Sequence, residues 1–127
     1  MMERWTFFDF LSERGENEIH RWLDSGMPKA ARAKINARIA ALQGLPIFPE
    51  QYVSAYAGWP GLLELRIVSG GVQYRPLGYY GPGRGQFSIL VGGVEKGKLP
   101  TRLLEVANER RTIVNNDPSR VCRHDFS

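Results

Sequence analysis

Three extended segments separated by glycine-rich turns, all within residues 62–98, constrain the fold of this chain more than any other feature. Apolar residues alternate with Glu64 and Arg66 over residues 63–67, which is typical of a strand with one buried and one solvent-exposed face. A Ser-Gly-Gly turn then leads into a second extended run over residues 72–80. A loop of three glycines, a proline and an arginine separates that run from a third. The pattern predicts a three-stranded antiparallel meander in which Arg66 points away from the core.

The segments before the meander predict one strand and two helices. Aromatic residues dominate positions 5–10, which favours a strand that joins the sheet. Ser12 is expected to cap an acid-rich helix that ends near Pro28. Apolar positions spaced by three and four residues predict a second helix over residues 29–42. The two helices are expected to form a hairpin packed on the sheet.

The remaining segments complete a single domain. Three prolines within residues 44–60 indicate a connector. Apolar positions between Leu103 and Ile113 predict a last helix, which Thr101 can cap. The order of elements predicts an α+β domain over residues 1–114: an N-terminal strand and helical hairpin packed on an antiparallel sheet, and a C-terminal helix. Residues 115–127 are polar and are expected to form a frayed tail.

The basic residues are unevenly distributed along the chain. Its 127 residues, 43% of them hydrophobic, suffice for one packed core. The net charge is −3 over residues 1–28 and +7 over residues 29–111, and 13 of the 17 basic residues are arginine. The planar guanidinium fork matches phosphate oxygens, so a polyanionic partner is one interpretation. The other is that a modest basic excess only keeps the protein soluble.

Several classes of protein are excluded or disfavoured. A single cysteine, Cys122, allows neither an intrachain disulfide nor a cysteine-based zinc site, which favours a reducing, cytoplasmic location. The first ten residues lack the apolar segment of a signal peptide, and no apolar run approaches the length of a membrane span. The sequence predicts no metal, no cofactor and no membrane association.

Isolated titratable residues suggest little chemistry. His20 and His124 are far apart in sequence and are interpreted as surface residues. Glu64 and Glu95 are expected to form ion pairs with neighbouring arginines. The glycine-rich loop over residues 81–85 joins two predicted strands and lacks the lysine and hydroxyl of a phosphate-binding loop.

A cationic and phenolic set on adjacent strands remains, and it suits metal-independent phosphate chemistry. Cleavage of RNA by its own 2′-hydroxyl needs cations for the phosphorane charge and groups for proton transfer. A tyrosine or lysine whose pKa is lowered by neighbouring positive charge can transfer the proton. The alternative is that the arginines pair with acids and the tyrosines complete the core. The catalytic candidates are Arg66, Arg75, Tyr79, Tyr80, Lys96 and Lys98, and the RNA-binding candidates are Lys34, Arg38, Arg84 and Arg110.

At these residues the sequence resembles the RelE/ParE superfamily of type II toxins, most closely its phage-associated HigB-like branch. The matching segments are GLLELRI (61–67), YRPLGYY (74–80), GVEKGK (93–98) and ANER (107–110). The resemblance implies a ribosome-dependent, metal-independent mRNA endoribonuclease that inhibits translation. It also implies a cognate antitoxin, often of the helix-turn-helix type, that covers the active face.

The resemblance assigns roles to particular residues. It implies that Arg66 and Arg75 bind the scissile phosphate and that Lys96 and Lys98 form the basic loop after the last strand. Tyr79 and Tyr80 correspond to the aromatic that stacks a base or shuttles a proton.

Two features depart from the pattern of the family. Many relatives carry His-Gly-Phe where this chain has Val-Gly-Gly-Val over residues 91–94, and Pro76 lies inside a predicted strand, which suggests an edge or a bulge. Without the histidine, either another group transfers the proton or the protein binds without cleaving. The alternatives are therefore a non-catalytic binding module, such as a ParE-type gyrase inhibitor or a phage-derived interaction protein, and an inactive relic.

Overall fold

The computed structural model describes residues 4–127, which form three α-helices and nine strands. The first three residues of the predicted domain lie outside the described residues. The elements are β1 (Thr6–Phe10), α1 (Glu18–Leu23), α2 (Lys29–Gln43), β2 (Val53–Ala55), β3 (Leu63–Leu65), β4 (Ile67–Ser69), β5 (Val72–Tyr74), β6 (Leu77–Tyr80), β7 (Gln86–Val91), β8 (Val94–Glu95), α3 (Thr101–Asn116) and β9 (Val121–Arg123). The α+β class is confirmed.

The strands form two sheets, a six-stranded one in the order β2-β3-β6-β7-β1-β9 and a three-stranded one in the order β4-β5-β8. The prediction of a wholly antiparallel sheet is wrong in one place, because β1 runs parallel to β7. A parallel pair needs a long connection, and here the two helices and most of the meander separate the paired strands. The larger sheet is therefore mixed and the smaller one antiparallel.

The predicted meander is confirmed, and its first hairpin keeps one register across both sheets. Leu63 pairs with Gly78 in the larger sheet, and Ile67 pairs with Tyr74 in the smaller one. Between these pairs the Leu65 amide donates to the carbonyl of Pro76 at 2.9 Å, in the same register. The ladder is interrupted where Pro76 has no N–H to donate. The proline thus marks the place where the hairpin passes from one sheet to the other.

Helices α1 and α2 share an apolar core with one face of the larger sheet. In α1, Ile19 and Leu23 pack with Ile35 and Ile39 of α2 against a core that includes Phe7. The second helix lies where the sequence predicts it. A second core lies between the sheet and α3. In the described part of the chain no helix is both long and apolar enough to cross a membrane.

The caps of two helices differ from the predictions. Asn17, not Ser12, caps α1, because its Oδ1 accepts hydrogen bonds from the amides of Ile19 and His20 at 3.0 and 2.8 Å. Ser12 instead accepts a hydrogen bond from the Glu16 amide in the turn before the helix. At α3 the N-cap is Pro100, and no side-chain hydrogen bond caps the helix.

Two segments expected to be irregular contribute edge strands to the larger sheet. The connector over residues 44–60 contains β2, whose Val53 pairs with Leu65. The prediction of a frayed tail is also wrong, because β9 pairs antiparallel with β1 and places Cys122 opposite Asp9. Backbone pairing with a central strand overrides the polar composition of the tail.

A buried polar network around Asp9 and His124 holds the C-terminal segment. The prediction that His124 is a surface residue is wrong, since its side chain is fully buried. Its Nδ1 lies 2.7 Å from Asp9 Oδ1, and its Nε2 lies 2.8 Å from Asn36 Oδ1. Asp9 also accepts hydrogen bonds from Asn17 Nδ2 at 2.8 Å and from the Asp125 amide at 3.1 Å. The network joins β1, α1, α2 and the segment after β9.

We predict that His124→Ala lowers the free energy of unfolding by about 3 kcal/mol, because it leaves the buried Asp9 carboxylate without one partner. Arg102→Ala serves as the control, since it breaks an exposed pair with Glu109 that is worth less than about 1 kcal/mol. Urea denaturation followed by circular dichroism measures both. Equal losses in the two variants would contradict a stabilising role for the network.

Candidate functional site

Arg66 and Arg75 lie directly opposite each other where the hairpin passes between the two sheets. The pairs Ile67–Tyr74 and Glu64–Leu77 flank this point in one continuous register. Directly opposed residues of an antiparallel pair project to the same face. Two cationic side chains therefore share one face of the hairpin, and each has a glutamate beside it.

Arg66 is solvent-exposed, as the strand pattern predicts. Its side chain is 45% exposed, and its Nη2 lies 3.0 Å from Oε1 of Glu64, whose side chain is nearly buried. Its Nε also donates to this oxygen at 3.1 Å. The prediction that Glu64 pairs with a neighbouring arginine is confirmed. Arg66 retains exposed donors that can reach an external anion.

Arg75 is placed on the expected face but is not open to solvent, which corrects the prediction of an exposed phosphate ligand. Its side chain is only 8% exposed, and its Nε lies 3.1 Å from Glu95 Oε2. Nη1 donates to the Tyr74 carbonyl at 3.1 Å, and Nη2 donates to Gln73 Oε1. The predicted pairing of Glu95 with an arginine is also confirmed. Neighbouring acceptors therefore occupy much of the Arg75 guanidinium in the free protein.

Lys96 and Lys98 extend the cationic surface beyond Glu95. Both are exposed, on either side of Gly97 in the connection between β8 and α3. Glu95 pairs with Gln73 across the small sheet, so this connection leaves the sheet beside the Arg75–Glu95 pair. Four of the six catalytic candidates are thus brought to one region, which is made of the hairpin and the end of β8.

Lys34 and Arg38 approach the same hairpin from α2. Arg38 Nη1 donates to the carbonyl of Arg66 at 2.7 Å, and Lys34 Nζ lies 3.5 Å from the carbonyl of Val68. The Arg38 guanidinium stacks on the Tyr52 ring at 3.8 Å, which fixes its position. Because β4 is an edge strand, these contacts also cover its free carbonyl groups.

A shallow groove of about 320 Å³ runs between α2 and β4. We call it the α2–β4 groove, and it is lined by Lys34, Ala37, Arg38, Ala41, Ile67 and Val68. Its rim is cationic and its floor is apolar. Two of the four predicted RNA-binding residues therefore line this groove, and Arg38 contacts the backbone carbonyl of Arg66.

The two tyrosines do not join the arginines, which corrects the prediction of one shared surface. Tyr79 is buried under α3, and its hydroxyl donates to Asn115 Oδ1 at 2.9 Å. Tyr80 is half-exposed on the other face, where its ring packs against Trp5 and Phe48. Successive residues of a strand project to opposite faces, so the pair cannot act together.

Burial also sets the protonation of both phenols. Loss of hydration raises the pKa of Tyr79, an effect only partly opposed by the positive charge of Arg111. Loss of hydration likewise raises the pKa of Tyr80. A pKa lowered by neighbouring positive charge was the condition for proton transfer by a tyrosine, and neither Tyr79 nor Tyr80 meets it. Both side chains carry their proton at neutral pH and cannot serve as a general base.

The other two RNA-binding candidates lie elsewhere. Arg84 is exposed in the loop between β6 and β7. Arg110 is partly buried, donates to the Leu90 carbonyl at 2.8 Å and stacks over the Phe10 ring, so its role is to hold α3 on the sheet. Loss of hydration lowers the pKa of Arg110, in keeping with this position.

The Val-Gly-Gly-Val segment over residues 91–94 has no room for a larger side chain at its two glycines. A Cβ atom on Gly92 would lie 1.9 Å from the Trp22 ring, and one on Gly93 would lie 2.6 Å from Leu103. The glycines therefore allow α1 and α3 to approach the sheet closely. In the part of the chain that the structure describes, no group of three or more His, Cys, Asp or Glu side chains is arranged to hold a metal ion.

Comparison of the chain with protein-family models, with curated proteins and with solved structures gave no match. The interpretation of the site therefore depends on its own geometry and on the sequence resemblance.

We predict that Arg75→Ala destabilises the protein by about 2 kcal/mol, because it removes a buried stem and leaves Glu95 without its cation. The matched control Arg102→Ala breaks the exposed pair with Glu109, which leaves no buried charge, and should cost less than about 1 kcal/mol. Chemical denaturation of the two variants tests this difference. An equal loss in Arg75→Ala and Arg102→Ala would contradict the buried position of the Arg75 ion pair.

We also predict that Tyr79 and Tyr80 ionise only above the ordinary tyrosine pKa of 10.0, because burial favours the neutral phenol. Ultraviolet absorbance of tyrosinate against pH, compared among the native protein, Tyr79→Phe and Tyr80→Phe, resolves each contribution. Ionisation of either phenol below that value would restore it as a candidate base.

Proposed function

We propose that this protein is a toxin of the RelE/ParE kind that binds mRNA at the ribosome and inhibits translation. The observation that carries the proposal is the opposed pair Arg66 and Arg75, with Lys96 and Lys98 at the end of the neighbouring strand. The exposed Arg66 guanidinium matches the oxygens of a phosphodiester group, whereas Glu95 covers Arg75 on the same face in the free protein. The lysines add positive charge for flanking phosphates.

The α2–β4 groove adds a path for the rest of the RNA strand. Lys34 and Arg38 hold the carbonyl side of the same edge strand, next to Arg66. An RNA backbone that passes over Arg66 can follow this rim, because the cations continue around the strand edge. A cognate antitoxin, for which the resemblance implies a helix-turn-helix protein, would neutralise the toxin by covering this face.

For cleavage by 2′-hydroxyl attack, the chain supplies charge stabilisation and one candidate proton acceptor. Arg66 and the lysines would stabilise the charge that develops on the phosphorane oxygens. Glu64 contacts Arg66 and is a carboxylate that can accept the 2′-hydroxyl proton as this oxygen attacks phosphorus. The P–O5′ bond then breaks, and the leaving 5′-oxygen takes a proton from water. Neither the tyrosines nor a histidine in the glycine segment takes part in this arrangement. We therefore propose a metal-independent endoribonuclease in which Arg66 is the principal phosphate ligand.

The proposal predicts that Arg66→Ala lowers the rate of mRNA cleavage in a translation extract by about a hundredfold, because it removes a preorganised cation from the phosphorane. Arg102→Ala is the matched control, since it removes an exposed, ion-paired arginine of α3 and should cleave at the native rate. Cleavage is measured by mapping new RNA ends. Native cleavage by Arg66→Ala would overturn the assignment of this site.

A second candidate function is a non-catalytic binding module, such as a ParE-type inhibitor of DNA gyrase. Two observations favour it: glutamates already neutralise both arginines, and both tyrosines are protonated at neutral pH. Supercoiling by gyrase assayed in parallel with RNA integrity separates the two functions. Inhibited supercoiling with intact RNA would favour the binding module.

A further inference from the structure

Two nitrogens of the Arg75 guanidinium donate hydrogen bonds to neighbouring acceptors, and the third, Nε, forms none. Tyr74 and Gln73 fix Nη1 and Nη2, and the stem is more than nine-tenths buried. The Nε–H is different. Glu95 Oε2 lies 3.1 Å from it, but among residues 4–127 no acceptor lies in line with this donor. The carboxylate therefore satisfies the charge of Arg75 without forming an aligned hydrogen bond at Nε.

Glu95 is well placed to leave this position. Its side chain is 26% exposed, and it lies on β8, a two-residue strand at the edge of the small sheet. Rotation of the Glu95 carboxylate into water would expose no buried apolar side chain on the neighbouring strand, because the residue paired with Glu95 is the exposed Gln73. The exposed Lys96 and Lys98 follow directly and would attract an anion to the vacated edge.

We propose that the Glu95 carboxylate competes with phosphate for binding to the Arg75 guanidinium. An RNA phosphodiester binds by displacing the Glu95 carboxylate from the guanidinium, and Lys96 and Lys98 hold the displaced state through their contacts with the same RNA strand. The choice of RNA as the ligand rests on the proposed function, whereas the exchange of carboxylate for phosphate rests on the geometry of Arg75. Glu95 thereby lowers the affinity of the free protein for isolated anions and favours ligands with several phosphates.

The test compares binding of a fluorescein-labelled single-stranded oligouridine to the native protein, Glu95→Gln, Arg75→Gln and the double variant, at one salt concentration. Glu105→Gln is the matched control for charge, because Glu105 is an exposed acid on α3. We expect Glu95→Gln to bind the oligouridine about tenfold more tightly than Glu105→Gln, because a neutral amide no longer competes with phosphate for the Arg75 guanidinium. We expect this gain to disappear when Arg75 is also replaced.

A second measurement remains decisive if Arg75→Gln does not fold, as judged by circular dichroism. The Arg75 Nε–H resonance is followed by NMR while inorganic phosphate is added to the native protein and to Glu95→Gln. The competitor role predicts a shift at about tenfold lower phosphate in Glu95→Gln. Equal phosphate responses in the two proteins would overturn it.

The outcomes also separate this inference from the proposed function. Equal gains in Glu95→Gln and Glu105→Gln would overturn the competitor role and leave RNA binding intact. A phosphate response that depends on Glu95, in a protein that binds no oligouridine, would support the competitor role and overturn the RNA function.

Discussion

The candidate site depends on one constraint: Arg66 and Arg75 lie directly opposite each other in the β-hairpin. Like charges directly across an antiparallel pair repel each other, and Arg66 and Arg75 are fixed in that relation by the register on both sides. The fold tolerates the pair because a glutamate contacts each arginine, Glu64 on one side and Glu95 on the other. The site is therefore neutralised internally in the free protein, although its role in the proposed function is to bind anions.

The two ion pairs differ in burial, and this difference makes Arg66 and Arg75 unequally accessible to an external anion. Arg66 is exposed while its glutamate is nearly buried, so an external anion can reach the arginine without moving the carboxylate. In the second pair the arginine is buried and Glu95 is the more exposed partner. Here an anion can reach the guanidinium only where the carboxylate now lies. Arg66 thus suits the first contact with a phosphate and Arg75 a later, conditional one.

Features set by local pattern could be predicted from the sequence, and features set by distant contacts could not. The alternation around Arg66 and the Ser-Gly-Gly turn determine the hairpin, and the structure confirms both. The three-residue strands β2 and β9 have weak patterns of their own and form because a neighbouring strand offers unpaired backbone groups. Asp9 within an aromatic strand was a signal that a buried polar partner must exist. Its partner His124 is 115 residues away, beyond the reach of any pattern rule.

The same distinction between local sequence pattern and distant contacts applies to the residues of the candidate site. Placement of Arg66 outside the core and the pairing of Glu64 and Glu95 with arginines follow from strand alternation and charge, so sequence alone predicts them. The separation of Tyr79 from Tyr80 could also have been derived from alternation, since adjacent strand residues face opposite ways. The burial of Tyr79 could not, because it depends on where α3 packs.

Internal neutralisation has a consequence for the kind of ligand that the face can hold. A single free anion would have to outcompete a tethered carboxylate whose effective concentration at Arg75 is high. Under the proposed function, a polymer of phosphates that contacts Arg66 and the two lysines would raise its own effective concentration at Arg75 in the same way. Under the proposed function, the glutamates would hinder the binding of small anions more than the binding of nucleic acid. A single-stranded polyanion is the class of ligand that fits this arrangement best.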